Sequence, residues 1–178
     1  MKDVRPTSGK VLQALFNILG PLGDSSFLDL FSGTGRVSME AHRRGAAAVY
    51  AVESVRSRCQ DIRRSFSGEK NEYPRLLCMD VRRALNWLSR KKLVFDIVFA
   101  DPPYHEGWPE ELLVVMEGKK DLLKPGGVLI IEHSVREIPP DPERGFFLKD
   151  RRKYGDTLLS FYISGTESDE ILPLEGKR

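Results

Sequence analysis

The sequence predicts an α/β fold in which a mostly parallel, seven-stranded sheet is closed by an antiparallel C-terminal hairpin. Three observations lead there. Strand-like and helix-like segments alternate from residue 8 to residue 133, the mark of strand–helix–strand units around a parallel sheet. Glycine and proline punctuate the boundaries, at Gly20-Pro21, Gly33-Thr34-Gly35, Gly45 and Pro125-Gly126-Gly127. Residues 146–153 and 157–164 alternate apolar and polar side chains on either side of a short turn, which predicts the hairpin.

Each element has its own justification. Val11, Leu15 and Leu19 recur at four-residue spacing, so residues 8–19 form an opening helix that Gly20-Pro21 stops. Phe27 to Phe31 is a buried strand running into a glycine loop, and a helix from Arg36 to about Arg44 is closed by Gly45. Val49 to Glu53 is the second strand, 55–66 a helix, and Leu76 to Asp80 the third strand. Val81, Ala84, Leu85 and Leu88 make a helical stripe. Phe95 to Ala100 is the fourth strand; a helix over 110–123 ends at Pro125-Gly126-Gly127, before the fifth strand, Val128 to Glu132. A chain of 178 residues suits one domain, made of an N-terminal motif and helix (1–20), a core (27–133) and the closing hairpin (146–164).

Composition narrows the class. Forty per cent hydrophobic and thirty per cent charged residues is ordinary for a globular protein. No apolar run approaches the roughly 18 residues of a membrane span, and Met1 to Pro6 lacks the apolar core of a signal peptide. A cytoplasmic protein without membrane association is expected. Cys59 and Cys78 match no metal spacing and are expected to be buried free thiols. The three histidines are scattered, so no metal site is expected. A formal charge of +2 does not itself imply nucleic acid. Val81 to Phe95 holds five basic residues and no acidic one, and Lys149 to Lys153 is a second basic cluster. Such runs are most often solvated faces.

Ligands of doubly wound sheets bind at the carboxyl ends of the strands. Four features fall at such ends: Phe31-Ser32-Gly33-Thr34-Gly35, Glu53, Asp80 and Asp101-Pro102-Pro103-Tyr104. Gly33 and Gly35 allow a tight turn and close approach to a ligand. Glu53 lies 18 residues past Gly35, near the spacing of about 20 for a carboxylate that grips a ribose diol. Asp80 can accept from an adenine amino group, or cap the helix that starts at Val81. The pocket is built for an adenosine. The third glycine of a dinucleotide loop is replaced by Ser38, and no Walker lysine-serine pair follows. Asp29 would repel a pyrophosphate but suits the cationic amino and sulfonium end of S-adenosylmethionine, whose product is S-adenosylhomocysteine.

Asp101-Pro102-Pro103-Tyr104 fits chemistry on an exocyclic amine. Such a nitrogen is a poor nucleophile because its lone pair is delocalised into the ring. The Asp101 carboxylate and the Pro102 carbonyl can accept its two N–H groups and turn the lone pair toward a methyl group. The prolines stiffen the loop. Tyr104 offers a face on which a splayed-out base can stack, worth about 1–3 kcal/mol. His105 is read as a rim residue.

Several segments carry a resemblance that spans nearly the whole chain: Arg5-Pro6-Thr7-Ser8 with Val11, Leu15, Phe16 and Asn17; Leu28 to Gly35; Glu40-Ala41 and Arg44-Gly45-Ala46; Glu53; Phe95 to Val98 leading into Asp101 to Tyr104; and Tyr154-Gly155-Asp156-Thr157. In these the sequence resembles the bacterial 16S ribosomal RNA guanine-N2 methyltransferases of the RsmD type. The glycine loop is widely shared; the Arg-Pro-Thr opening together with Asp-Pro-Pro-Tyr is far more specific. The resemblance implies a Rossmann-like class I fold, S-adenosylmethionine as cofactor, and methyl transfer to N2 of a guanine in 16S rRNA of the small ribosomal subunit. It implies cofactor contacts from the glycine loop, Glu53 and Asp80, base contacts from Asp101 to Tyr104, and a monomer. Family members commonly carry a basic β-hairpin before Arg-Pro-Thr, whereas Arg5 lies close to Met1 here. Leu12, Gln13 and Ser65 replace the family's usual Arg, Glu and Asn. RNA contacts are expected from Arg5, Lys10, Arg151, Arg152 and Lys153 at the mouth of the pocket. The rival readings are a DNA adenine-N6 or cytosine-N4 methyltransferase, for whose target-recognition domain the chain has no room, and a cofactor-binding RNA module without turnover.

Overall fold

The computed structural model describes residues 9–66, 74–142 and 144–165. The order is helix α1 (Gly9–Leu19), strand β1 (Ser26–Leu30), α2 (Arg36–Arg43), β2 (Ala48–Glu53), α3 (Arg56–Phe66), β3 (Arg75–Cys78), α4 (Val81–Arg90), β4 (Phe95–Ala100), α5 (Trp108–Glu117), β5 (Leu123–Ser134), β6 (Phe146–Tyr154) and β7 (Thr157–Ser164). The seven strands form one sheet in the order β3-β2-β1-β4-β5-β7-β6. β1 to β5 are parallel to one another, and β7 runs antiparallel between β5 and β6. The chain order reverses between β1 and β4, which places the ligand crevice at their carboxyl ends.

Both faces of the sheet are covered, so the central strands read as apolar runs rather than as alternating ones. Leu28, Leu30, Val98, Ala100, Leu129 and Ile131 pack against α4 and α5. Phe27, Val49, Ile97, Phe99, Ile130, Leu159 and Phe161 pack against α1 and α2. Burying each such side chain contributes about 1.5–3 kcal/mol.

The structure departs from the sequence reading in three places. The predicted helix 110–123 begins earlier, at Trp108, with Pro109 in its first turn where a missing N–H costs nothing. It ends at Glu117, with Gly118 as its C-cap. Pro125-Gly126-Gly127 therefore does not stop a helix but lies inside β5, where the pairing jumps from Phe95–Leu123 to Ile97–Val128. Gly127 is required there: a Cβ would stand 2.8 Å from the Lys124 carbonyl oxygen and 3.1 Å from that of Asp96. The third correction concerns the cysteines, expected to be free. Cys59 and Cys78 are paired as a disulfide with Cα atoms 6.0 Å apart, because the crossover from β2 to β3 lays the first turns of α3 over the last residue of β3. Among the described residues, no helix is long and apolar enough to cross a membrane, and no group of three or more His, Cys, Asp or Glu could hold a metal ion.

Candidate active site

The glycine loop is stitched to the second strand. The Ser32 N–H donates to the Val52 carbonyl at 2.8 Å. Its hydroxyl donates to the Asp29 carbonyl at 2.9 Å and accepts from the Val52 N–H at 3.0 Å. Gly35 sits at φ 75° at the N-cap of α2, and a Cβ there would stand 3.1 Å from Ile62. Left-handed backbone and close approach together demand glycine.

Glu53 stands at the end of β2, 4% exposed. One carboxylate oxygen accepts the Gly33 N–H at 2.9 Å, the other the Val55 N–H at 2.8 Å, and the Arg58 guanidinium lies 3.8 Å away. The carboxylate is thus fixed against the glycine loop.

Asp29 and Asp80 each carry local hydrogen bonds. Asp29 is 1% exposed and turned into the first turn of α2, where it accepts the Ser38 N–H at 3.1 Å and the Ser38 hydroxyl. Burial pushes its carboxyl up to about 7; hydrogen bonds from Ser38 and Ser32 oppose this and neighbouring Asp101 adds to it. Through Ser38, Asp29 holds the first turn of α2 against the end of β1. Asp80 caps α4, accepting the N–H groups of Arg82 at 2.9 Å and Arg83 at 3.4 Å. This is the capping role that its position also allowed.

β4 delivers Asp101 beside the end of β1, where its N–H faces the Leu30 carbonyl at 3.5 Å. Pro102 is buried, Pro103 exposed, and Asp101 and Tyr104 half-buried. Asp101 to Tyr104 and the glycine loop therefore start from adjacent strand ends. The Tyr104 hydroxyl lies 3.2 Å from Thr157 Oγ1 on β7 and 3.5 Å from the buried Glu132 carboxylate on β5. The chain then turns through His105 and Gly107, both at positive φ. Glu137 accepts the N–H groups of both, at 2.7 and 2.8 Å. Arg82 bonds Glu111 through two nitrogens, one at 2.6 Å, and lies 4.1 Å from the centroid of the Trp108 ring. Trp108 meets Phe31 edge-on at 4.8 Å. This chain of contacts ties the first turns of α4 and α5 to the start of the glycine loop.

Sequence reasoning missed Thr157, Glu132, Glu137 and the Arg82–Trp108–Phe31 contacts. Only Thr157 carried a signal, through the Tyr154-Gly155-Asp156-Thr157 match. The expected RNA residues are spread out. Arg5 lies outside the described residues. Lys10 is exposed on the first turn of α1, where a methyl on neighbouring Gly9 would stand 4.0 Å from the Arg36 guanidinium. Arg151 to Lys153 lie on β6, the opposite edge strand from β3. Arg151 is turned inward to Ser160 at 2.9 Å and Arg152 is paired with Asp150 at 2.7 Å; Lys153 is exposed.

The sheet order, read with the chemistry of its strand ends, is that of an S-adenosylmethionine-dependent methyltransferase. A solved structure from Escherichia coli, described as a methyltransferase, superposes with a TM-score of 0.77 at 27% identity, covering 92% of this chain and 89% of that one. The chain belongs to the family described as Conserved hypothetical protein 95, whose profile it matches over residues 1–163, the RsmD family. Ribosomal RNA small subunit methyltransferase D of Escherichia coli strain K12 is 33% identical over 160 residues, 89% of this chain and 79% of that protein. Its counterpart in Haemophilus influenzae is 27% identical over 153 residues, 84% of this chain and 78% of the relative. The residues present fit the cofactor: a close-approach glycine loop and an anchored Glu53.

Proposed function

We propose that this protein transfers one methyl group from S-adenosylmethionine to the exocyclic N2 of a guanine in 16S rRNA, acting as a single cytoplasmic domain on the small ribosomal subunit. The observation that supports it most is the position of Asp101 to Tyr104 beside the glycine loop. The names of the Escherichia coli and Haemophilus influenzae relatives support small-subunit ribosomal RNA as the substrate.

The glycine loop and Glu53 hold the cofactor, which supplies an electrophilic methyl group on a sulfonium. Asp101 and the Pro102 carbonyl accept the two N–H groups of the amine and turn its lone pair toward that methyl. Most of the rate enhancement then comes from orientation and from the negative charge of Asp101 beside a nitrogen that becomes positive. Asp101 or water takes the proton from the methylated ammonium. Tyr104, held at its hydroxyl by Thr157 and Glu132, presents its ring to the flipped-out base.

The test is tritium transfer from labelled cofactor to unmethylated small subunits, naked 16S rRNA and DNA, followed by nucleoside analysis. N2-methylguanine from the subunit or its RNA is expected. Label in DNA alone overturns the reading, and cofactor binding without transfer to any acceptor leaves a binding module.

A further inference from the structure

Charge is distributed unevenly along this chain. Residues 56–92 hold eleven Lys and Arg against four Asp and Glu, a net of +7. The whole chain carries 28 basic and 26 acidic residues, so everything outside that segment nets −5. Its described residues, 56–66 and 74–92, form one edge of the fold: α3, the four-residue edge strand β3, and α4. Right-handed crossovers place α3 and α4 on opposite faces of the sheet, one on each side of that edge.

The basic side chains point outward in rows. Arg56 and Arg63 are exposed and seven residues apart on α3; Arg83 and Arg90 are exposed and seven apart on α4. That spacing is two helical turns, so each pair lies on one stripe, about 10 Å long. Arg64, Arg75, Lys91 and Lys92 are exposed as well. The two acidic residues described here are already engaged, Asp61 with Arg64 and Asp80 as the cap of α4 beside Arg82. The rows begin at the helix N-termini, Arg56 next to the Glu53 loop and Arg83 next to Asp80, at the mouth of the crevice. They run from there down the side of the molecule.

We propose that this α3–β3–α4 edge is the surface that holds the RNA phosphate backbone, and that it carries more of the RNA contact than the β6 edge does. The inference rests on the RNA-methylating reading above. An RNA strand that delivers a guanine to Tyr104 must continue past the crevice, and this edge offers it a basic track starting at the crevice. On β6, by contrast, Arg151 and Arg152 are committed to Ser160 and Asp150. The contact is electrostatic and independent of base sequence.

The test is an Arg63→Glu, Arg83→Glu, Arg90→Glu triple variant, with the matching Gln triple as a second variant should the first fail to fold. None of these residues contacts the glycine loop, Glu53 or the Asp101 to Tyr104 loop. Two readouts are needed: anisotropy of a fluorescent protein-free 16S rRNA fragment across a salt series, and turnover on unmethylated subunits. The expected result is RNA affinity weakened about tenfold or more and a log–log salt slope shallower by about 2. The KM for subunits rises in step, while kcat and the calorimetric Kd for cofactor hold. Unchanged RNA affinity and slope overturn the proposal, as does an equal or larger loss from Arg152→Glu with Lys153→Glu. Weaker binding to assembled subunits but not to protein-free RNA also overturns it, since the edge would then meet an acidic protein. A wild-type enzyme that binds the fragment through this edge yet methylates no RNA instead defeats the functional reading and leaves the surface standing.

Discussion

The Tyr104 hydroxyl and the Thr157 hydroxyl stand 3.2 Å apart, although 53 residues separate them in the chain. The closing hairpin is thereby joined to the Asp101 to Tyr104 loop. Thr157→Val removes this bond while keeping the shape, and kcat/KM should fall about 2- to 10-fold, the worth of one neutral hydrogen bond. Thr157→Ser should restore it. In a Tyr104→Phe background the valine substitution should cost nothing further. Additive losses in that double-mutant cycle would show that Thr157 acts by another route.

Asp101→Ala should lower kcat at least a hundredfold, the scale of losing one charge-stabilising group. Calorimetry should find cofactor affinity within about twofold of wild type. Loss of cofactor binding would mean that Asp101 holds the loop instead of the amine.

Glu137 clasps two positive-φ amides, His105 and Gly107, just past the Asp101 to Tyr104 loop. Glu137→Ala should speed hydrogen exchange at the His105 and Gly107 amides and lower kcat/KM, with little change in Tm because the clasp is exposed. Unaltered exchange at both amides would rule the clasp out as a determinant of loop order.

Asp29 gives the fold a pH dependence of definite sign. Its carboxyl is raised from 3.8 to about 7 by burial. Below pH 4 it is protonated in both folded and unfolded chains. Between about 4 and 7 the unfolded chain releases the proton and the folded one keeps it, so stability is lost as pH rises through that window. Asp29→Asn should flatten the fall in Tm over this range. An unchanged slope would place the titration elsewhere.

What could be read from the sequence was local. The strands and the glycine loop announce themselves through periodicity and φ requirements, and Asp101 to Tyr104 through its place after an apolar run. The unread features are contacts between distant segments. Asp29 lies at the end of the right strand, yet only the fold reveals that Ser38 captures it. Asp80 fits a capping description as well as an adenine contact, and the amides of Arg82 and Arg83 show the cap. Cys59 and Cys78 gave no spacing signal, since a crossover, not proximity in sequence, brings them together. Pro125-Gly126-Gly127 is as typical of a bulge as of a helix stop, and the Asp96 carbonyl decides between them.

The position of β7 has a consequence for the order in which the enzyme comes to life. The last strand of the sheet to leave the ribosome is not its edge; it inserts between β5 and β6. A nascent chain ending before Thr157 already contains the glycine loop, Glu53 and Asp101, yet Tyr104 has no hydroxyl partner on β7. The hydrogen bond between Tyr104 and Thr157 therefore forms late in synthesis, after the first strands of the sheet can assemble.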